Sequence, residues 1–189
     1  MILDKKLRYM RRAARVERYH TMPTVKPQSV GQHTFSAMAL LDLCFPDARK
    51  EVWRAMLYHD APECITGDTP ATVKWRHTAI EDVLKSIESK ISLEFQTVIE
   101  ITDEERQHCK FCDLMELVIF SIEEFDMGNK LMAVVAINGM KAISDRGLAS
   151  INQNVEFLCA IMTGSIERRH MYQIAINTDY FNGWALYAG

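Results

Sequence analysis

The chain has little of what interrupts or cross-links a fold. Only five prolines and eight glycines occur in 189 residues. Most of them fall between apolar segments, so long uninterrupted helices can form. There are five cysteines, an odd number at irregular spacings. That argues against a disulfide framework and fits reduced thiols in a cytoplasm. Cys109 and Cys112 form one CxxC with no second pair and no following histidine pair. Two small residues beside a helical core face explain them better than a zinc ribbon does.

Long apolar runs are also missing. No stretch reaches membrane-spanning length, and the start, Met1-Ile-Leu-Asp-Lys-Lys-Leu-Arg8, lacks the apolar core of a signal peptide. Basic charge is not in excess either: 22 Lys and Arg stand against 25 Asp and Glu, a net charge of -3. A general nucleic-acid surface is therefore not expected, although a local basic cluster could still hold a small anion. A glycine-rich phosphate loop, a dinucleotide fingerprint and a nucleophilic serine elbow are all absent. There is no useful strand alternation, internal repeat or low-complexity segment.

What remains is helical periodicity. With 48% hydrophobic and 25% charged residues, the composition is that of an ordinary globular protein. The length suits one domain, so the expectation is a single all-α bundle over residues 1–189. A first helix is expected over 4–20, with Leu7, Met10, Ala14 and Val16 inward. Ser29 should cap a helix over 30–45, and Pro46-Asp47 should end it and cap another over 48–60. Pro62 restricts Ala61, so that helix breaks just after position 60. Turn chemistry fills Thr66-Gly-Asp-Thr-Pro70. Further helices are expected over 78–91, over 103–125 with Asp103 as cap, over 130–143 and over 148–170.

His59 and Asp60 stand side by side where the third helix breaks. An imidazole beside a carboxylate at the end of an apolar helix is costly to bury unless something binds both. Mid-helix neighbours diverge by about 100° and could not share an ion, but a helix end lets both turn to one centre. His33 lies near the start of a largely apolar helix, and Asp113 sits in Phe111-Cys-Asp-Leu-Met-Glu-Leu-Val-Ile-Phe120. Two imidazoles and two carboxylates form an N/O set suited to Mn, Fe, Co, Ni or Zn. Glu63, three residues past Asp60, fits the same idea. Histidines at 20, 77, 108 and 170 match no ligand position and are read as surface or structural.

Taken in order, His33, His59-Asp60 and Asp113 resemble the H…HD…D ligand set of the HD-domain metal-dependent phosphohydrolases. The resemblance spans most of the chain and is closest to the 5′-deoxynucleotidase branch. It includes Arg18-Tyr19, Ser29-Val-Gly-Gln-His-Thr34, Tyr58-His-Asp-Ala-Pro-Glu-Cys-Ile-Thr-Gly-Asp-Thr-Pro70, Val73-Lys74, Lys110-Phe-Cys-Asp113 and Ile122-Glu-Glu-Phe125. Within that branch the chain looks most like compact phage dATP triphosphohydrolases, which release deoxyadenosine and triphosphate and deplete dATP.

The resemblance implies that His33, His59, Asp60 and Asp113 hold a divalent transition metal (Co, Mn or Zn), with room for a second ion, Mg, arriving with the substrate. It implies acid–base work for Glu63 on the attacking water, and for Asp68 an orienting role at water or the leaving oxygen. Arg18, Lys74 and Lys110 correspond to residues facing the phosphates. Lys110 also lies one helical turn before Asp113, on the same face. Tyr19 and Thr21 fall at the nucleoside, where relatives often carry Trp at the position of Tyr19. A 5′-deoxynucleotidase for monophosphates is the alternative enzyme, and a non-catalytic nucleotide sensor is the alternative of a different class. Relatives form dimers or hexamers, and the apolar end of the chain (Tyr172, Ile174, Ile176, Tyr180, Phe181, Trp184, Leu186 and Tyr187) could supply such an interface or equally fold back on its own core.

Overall fold

The computed structural model describes residues 2–70, 73 and 77–177. In order, the elements are α1 (Ile2–Ala13), β1 (Glu17–Arg18), β2 (Gln28–Ser29), α2 (Val30–Cys44), α3 (Lys50–Tyr58) and α4 (Glu63–Thr66). They continue with α5 (Thr78–Glu94), α6 (Asp103–Asp126), α7 (Met132–Asp145), a 3-10 turn (Leu148–Ser150), α8 (Gln153–Arg168) and α9 (Met171–Asn177). The architecture is all-α. Among the described residues no helix is long and apolar enough to cross a membrane.

The 24-residue α6 is the central post. Its buried face, Phe111, Cys112, Met115, Val118, Ile122 and Phe125, packs against α2, α3 and α7. Each of these side chains gains stability chiefly from apolar area taken out of water. Gly139 of α7 lies tightly against α6. A Cβ there would stand 2.7 Å from Val118 Cγ2 and 2.9 Å from Leu117 Cδ2, so the crossing needs the missing side chain.

Two helices start with reciprocal capping boxes. Ser29 Oγ accepts from Gln32 N at 3.2 Å while Gln32 Oε1 accepts from Ser29 N at 2.8 Å. For α6 the cap is Thr102, not Asp103, because Thr102 Oγ1 accepts from Glu105 N and Glu105 returns the bond. Asp103 instead opens the first turn with Glu104 and Glu105, where acidic charge favours the helix dipole.

Other boundaries also differ from expectation. α1 stops at Ala13, and turn bonds from Arg15 and Val16 close it. The chain then pairs Glu17 with Ser29 and Arg18 with Gln28 in a two-residue antiparallel ladder, too short to alternate. The inward residues of α1 are Tyr9 and Ala13 with Met10 packed against them, whereas Leu7 and Ala14 face solvent. α3 begins at Lys50, with Arg49 at its N-terminus and no side-chain cap. The expected helix over 148–170 is split, because the Asn152 side chain caps α8 at Val155 N and ties to the Cys44 carbonyl. On α5, Ile80, Val83 and Ile87 are exposed and Ile91 is buried.

Candidate metal centre

His33 lies in the first turn of α2 and is fully buried. Gly31 sets its depth: the Gly31 N–H bonds to the Ala14 carbonyl at 3.2 Å, and a Cβ there would lie 2.9 Å from that oxygen. His59 is the first residue past α3, and Asp60 follows in the turn before α4. The helix ends at Tyr58, two residues earlier than the break expected just after position 60, and the turn over 59–62 points both side chains to one place. Asp113 projects from α6.

Four donor atoms converge. His33 Nε2 lies 3.2 Å from His59 Nε2, 3.3 Å from Asp113 Oδ1 and 3.5 Å from Asp60 Oδ2. His59 Nε2 is 3.3 Å from Asp60 Oδ2. The donor atoms of His33, His59 and Asp60 all lie within 4.8 Å of one another. Asp113 joins through His33, and its other oxygen accepts from Lys110 Nζ at 2.6 Å. Both Nε2 atoms are free to coordinate because each Nδ1 has its own partner. His59 Nδ1 donates to the Met56 carbonyl at 2.6 Å, and His33 Nδ1 bonds to Glu116. Two imidazole lone pairs and two carboxylates aimed at one point repel unless a cation or protons lie between them. The donor set therefore fits a divalent transition metal.

The same crowding shifts the titrations. Burial opposes charge on His59, yet Asp60, with Asp113 beyond it, outweighs burial and pushes the imidazole up to about 9. His33 is buried too, and it is raised by Asp113 and Glu116. Burial would raise Asp60, but the His59 and His33 rings hold it below the ordinary carboxylate range. Asp113 is likewise held well down against burial, by Lys110 and then by the imidazoles.

Around this centre the other expected residues separate into groups. Buried Glu63 opens α4, and its N–H bonds to the Asp60 carbonyl at 3.1 Å. Arg18 reaches Gln28 Oε1 at 3.2 Å and Glu116 Oε2 at 3.5 Å. Tyr19 has a left-handed backbone, φ 59°, and stacks on Phe120 with centroids 5.1 Å apart. Asp68 accepts from the Tyr19 N–H at 3.2 Å and lies 3.8 Å from His20 Nδ1, so it belongs to the Tyr19 turn. Thr21 is exposed in that turn. Lys74 lies outside the described residues, as do Tyr180, Phe181, Trp184, Leu186 and Tyr187 of the proposed interface segment. His108 stacks on Phe45 and has a structural place.

Glu116, Gln28 and Phe120 were not anticipated. Glu116 carried a readable signal: it sits one turn past Asp113 in the same apolar helix, where a buried carboxylate needs partners. Phe120 follows four residues later on that face. Gln28 carried none, since its place depends on the short ladder.

An all-α scaffold that brings this N/O cluster together beside Arg18 and Lys110 suits metal-dependent hydrolysis of a phosphate ester. The model of the YfbR-like 5′-deoxynucleotidase family matches residues 5–163, and the chain belongs to that family. It is a metal-dependent phosphoric ester hydrolase acting on deoxynucleotides. The 5′-deoxynucleotidase YfbR of Escherichia coli is 28% identical over 184 residues, covering 92% of this chain and 85% of the relative. A 5′-deoxynucleotidase of Cronobacter sakazakii is 24% identical over 168 residues, 76% of this chain and 84% of the relative. Two solved structures share the fold. The Listeria innocua HD-domain phosphohydrolase has a TM-score of 0.69 at 16% identity and covers 92% of this chain and 96% of its own. The cyanophage S-2L HD phosphohydrolase DatZ, bound to dA and one catalytic Zn2+ ion, has a TM-score of 0.61 at 19% identity, with 85% and 96% covered.

Proposed function

We propose that the protein hydrolyses dATP to deoxyadenosine and triphosphate, within a single domain spanning residues 1–189. The observation that carries the hydrolytic reading is the convergence of His33, His59, Asp60 and Asp113, with Arg18 and Lys110 beside them. A divalent ion held there supplies an acidified water and a polarised phosphoryl oxygen. Glu63, buried one turn past Asp60, takes the proton of the attacking water. Arg18, Lys110 and, by its sequence context, Lys74 neutralise phosphate charge, since phosphoryl transfer depends mostly on positioning and electrostatics. Tyr19, backed by Phe120, faces the nucleoside with Thr21. Asp68 holds the Tyr19 turn and orients the leaving 5′-oxygen.

The choice of dATP rests on the likeness of the sequence to phage triphosphohydrolases and on the fold shared with the dA-bound DatZ. A second reading, hydrolysis of deoxynucleoside monophosphates, is favoured by the family and by the names of the bacterial relatives. We further propose a phage-encoded enzyme that works in the host cytoplasm and forms a homo-oligomer, dimer or hexamer. The exposed Ile80, Val83 and Ile87 face of α5 supports the oligomer. The deciding experiment incubates the protein and Mn2+ or Co2+ with every deoxynucleoside mono- and triphosphate and identifies products by chromatography. Triphosphate and deoxyadenosine from dATP support the proposal. Orthophosphate from monophosphates alone favours the second reading, and no product from any substrate makes the protein a sensor.

A further inference from the structure

Glu116 is 4% exposed, and it is bonded to His33, Arg18 and Gln28. Its Oε2 meets His33 Nδ1 and lies 3.5 Å from Arg18 Nη1, while Oε1 accepts from Gln28 Nε2 at 2.7 Å. Gln28 Oε1 in turn accepts from Arg18 Nη1 at 3.2 Å, which closes a ring of three side chains around the carboxylate. The ladder explains why the ring exists. Its register sets Arg18 directly opposite Gln28, so the two side chains share one face and reach α6 together.

We propose that Glu116 is a positioning residue that builds the metal-binding and phosphate-binding halves of the site as one unit; this rests on the metal-centre reading above. Toward the metal, its carboxylate accepts the Nδ1 proton of His33, which fixes the tautomer and leaves the Nε2 lone pair directed at His59, Asp60 and Asp113. A carboxylate behind a ligating imidazole also makes it a stronger donor. Toward the substrate, the same carboxylate and Gln28 hold Arg18 in one orientation, so little side-chain freedom is lost when a phosphate arrives. Gln28 bonds Arg18 directly but reaches His33 only through Glu116, so its loss bears first on Arg18. The two residues therefore separate the two effects.

The test compares wild type, Glu116→Gln, Glu116→Leu and Gln28→Leu by Mn2+ titration, reading free Mn2+ by its EPR signal. Turnover at saturating Mn2+ follows, on the best deoxynucleotide found for wild type. Loss of a partner behind a metal-bound histidine costs about 10- to 100-fold in affinity. Glu116→Gln is expected near the lower figure and Glu116→Leu near the upper, with activity of both partly restored by excess Mn2+. Gln28→Leu is expected to keep Mn2+ affinity within about threefold of wild type and to raise KM about tenfold at little changed kcat, the pattern of lost substrate binding.

Should Glu116→Leu fold poorly, the near-isosteric Glu116→Gln still decides the matter. Mn2+ affinity of the Glu116 variants within about threefold of wild type, below the loss expected of a histidine-supporting group, overturns the inference. So does a Gln28→Leu variant that loses Mn2+ instead of substrate. A wild type that binds no Mn2+ overturns the metal-centre reading along with it. A wild type that binds Mn2+ but hydrolyses no deoxynucleotide overturns the substrate reading and leaves the Glu116 comparison decisive.

Discussion

Metal binding at this centre should consume a proton vacancy that only alkaline pH supplies. His59 donates through Nδ1 to the Met56 carbonyl, so the nitrogen that gains or loses a proton is Nε2, the one that faces the cluster. Without metal, Asp60 and Asp113 push this imidazole up to about 9, and its position at the C-terminus of α3 also favours a cation. At pH 7 the protonated form then outnumbers the neutral one by about 100 to 1, because the gap is about two pH units. An incoming ion must displace that proton. Apparent Mn2+ affinity should therefore rise about tenfold per pH unit from pH 6.5 and level off near pH 9. His33, also raised, steepens the slope where it titrates. Asp60 and Asp113 contribute no protons here, since both are held below the ordinary carboxylate range.

Stability follows with the opposite sign in the metal-free protein. The pKa of His59 is higher folded than unfolded, so its stabilising contribution is complete below about 6.5 and is lost as pH rises through about 9. Calorimetric titration with Mn2+ at pH 6.5, 7.5 and 8.5, in buffers of different ionisation enthalpy, gives affinity and proton release together. At least one proton should leave per ion bound. Affinity that is flat across this range, with no proton release, would refute the electrostatic reading of the doublet.

Three further outcomes are expected. Glu63→Ala should lower turnover by about 10²–10⁴ while metal stays bound; normal rates would remove Glu63 from the chemistry. Lys110→Met should raise KM about tenfold, the scale of one lost charge-assisted hydrogen bond, and unchanged KM would leave Lys110 as a partner of Asp113 only. Gly139→Ala should destabilise by about 1–2 kcal/mol, with overpacking against buried Val118 exceeding the gain in helix propensity. At this chain length each kcal/mol lowers Tm by about 2–4 °C, so an unchanged melting curve would show that α7 has room to shift.

The helices and the four cluster residues could be read from the sequence for one physical reason. Histidine and aspartate inside apolar helices stand out, because burying them alone is expensive. A helix end near the doublet was equally visible, since proline constrains its predecessor, although α3 stops two residues sooner, at Tyr58. Glu116 obeyed the same logic as Asp113 and was passed over, because no motif called attention to it. Gln28 was unreadable in principle: its role depends on a ladder of two residues per strand, below any detectable alternation. The cap of α6 was misplaced by one residue because Thr102 and Asp103 are both good caps, and only the return bond from Glu105 separates them. The split near Asn152 was missed for a similar reason. Apolar spacing carries across the gap, and the tertiary bond from Asn152 to the Cys44 carbonyl decides it.

On the proposed function, His33, His59, Asp60 and Asp113 would hold the divalent ion on which hydrolysis depends. Bound Mn2+ and deoxynucleotide turnover, measured on the same preparations of wild type and Asp60→Ala, test it most directly. One substitution should remove both, because Asp60 is an acceptor at the heart of the cluster and not a surface charge. An Asp60→Ala protein that still turns over deoxynucleotides at the wild-type rate would contradict it.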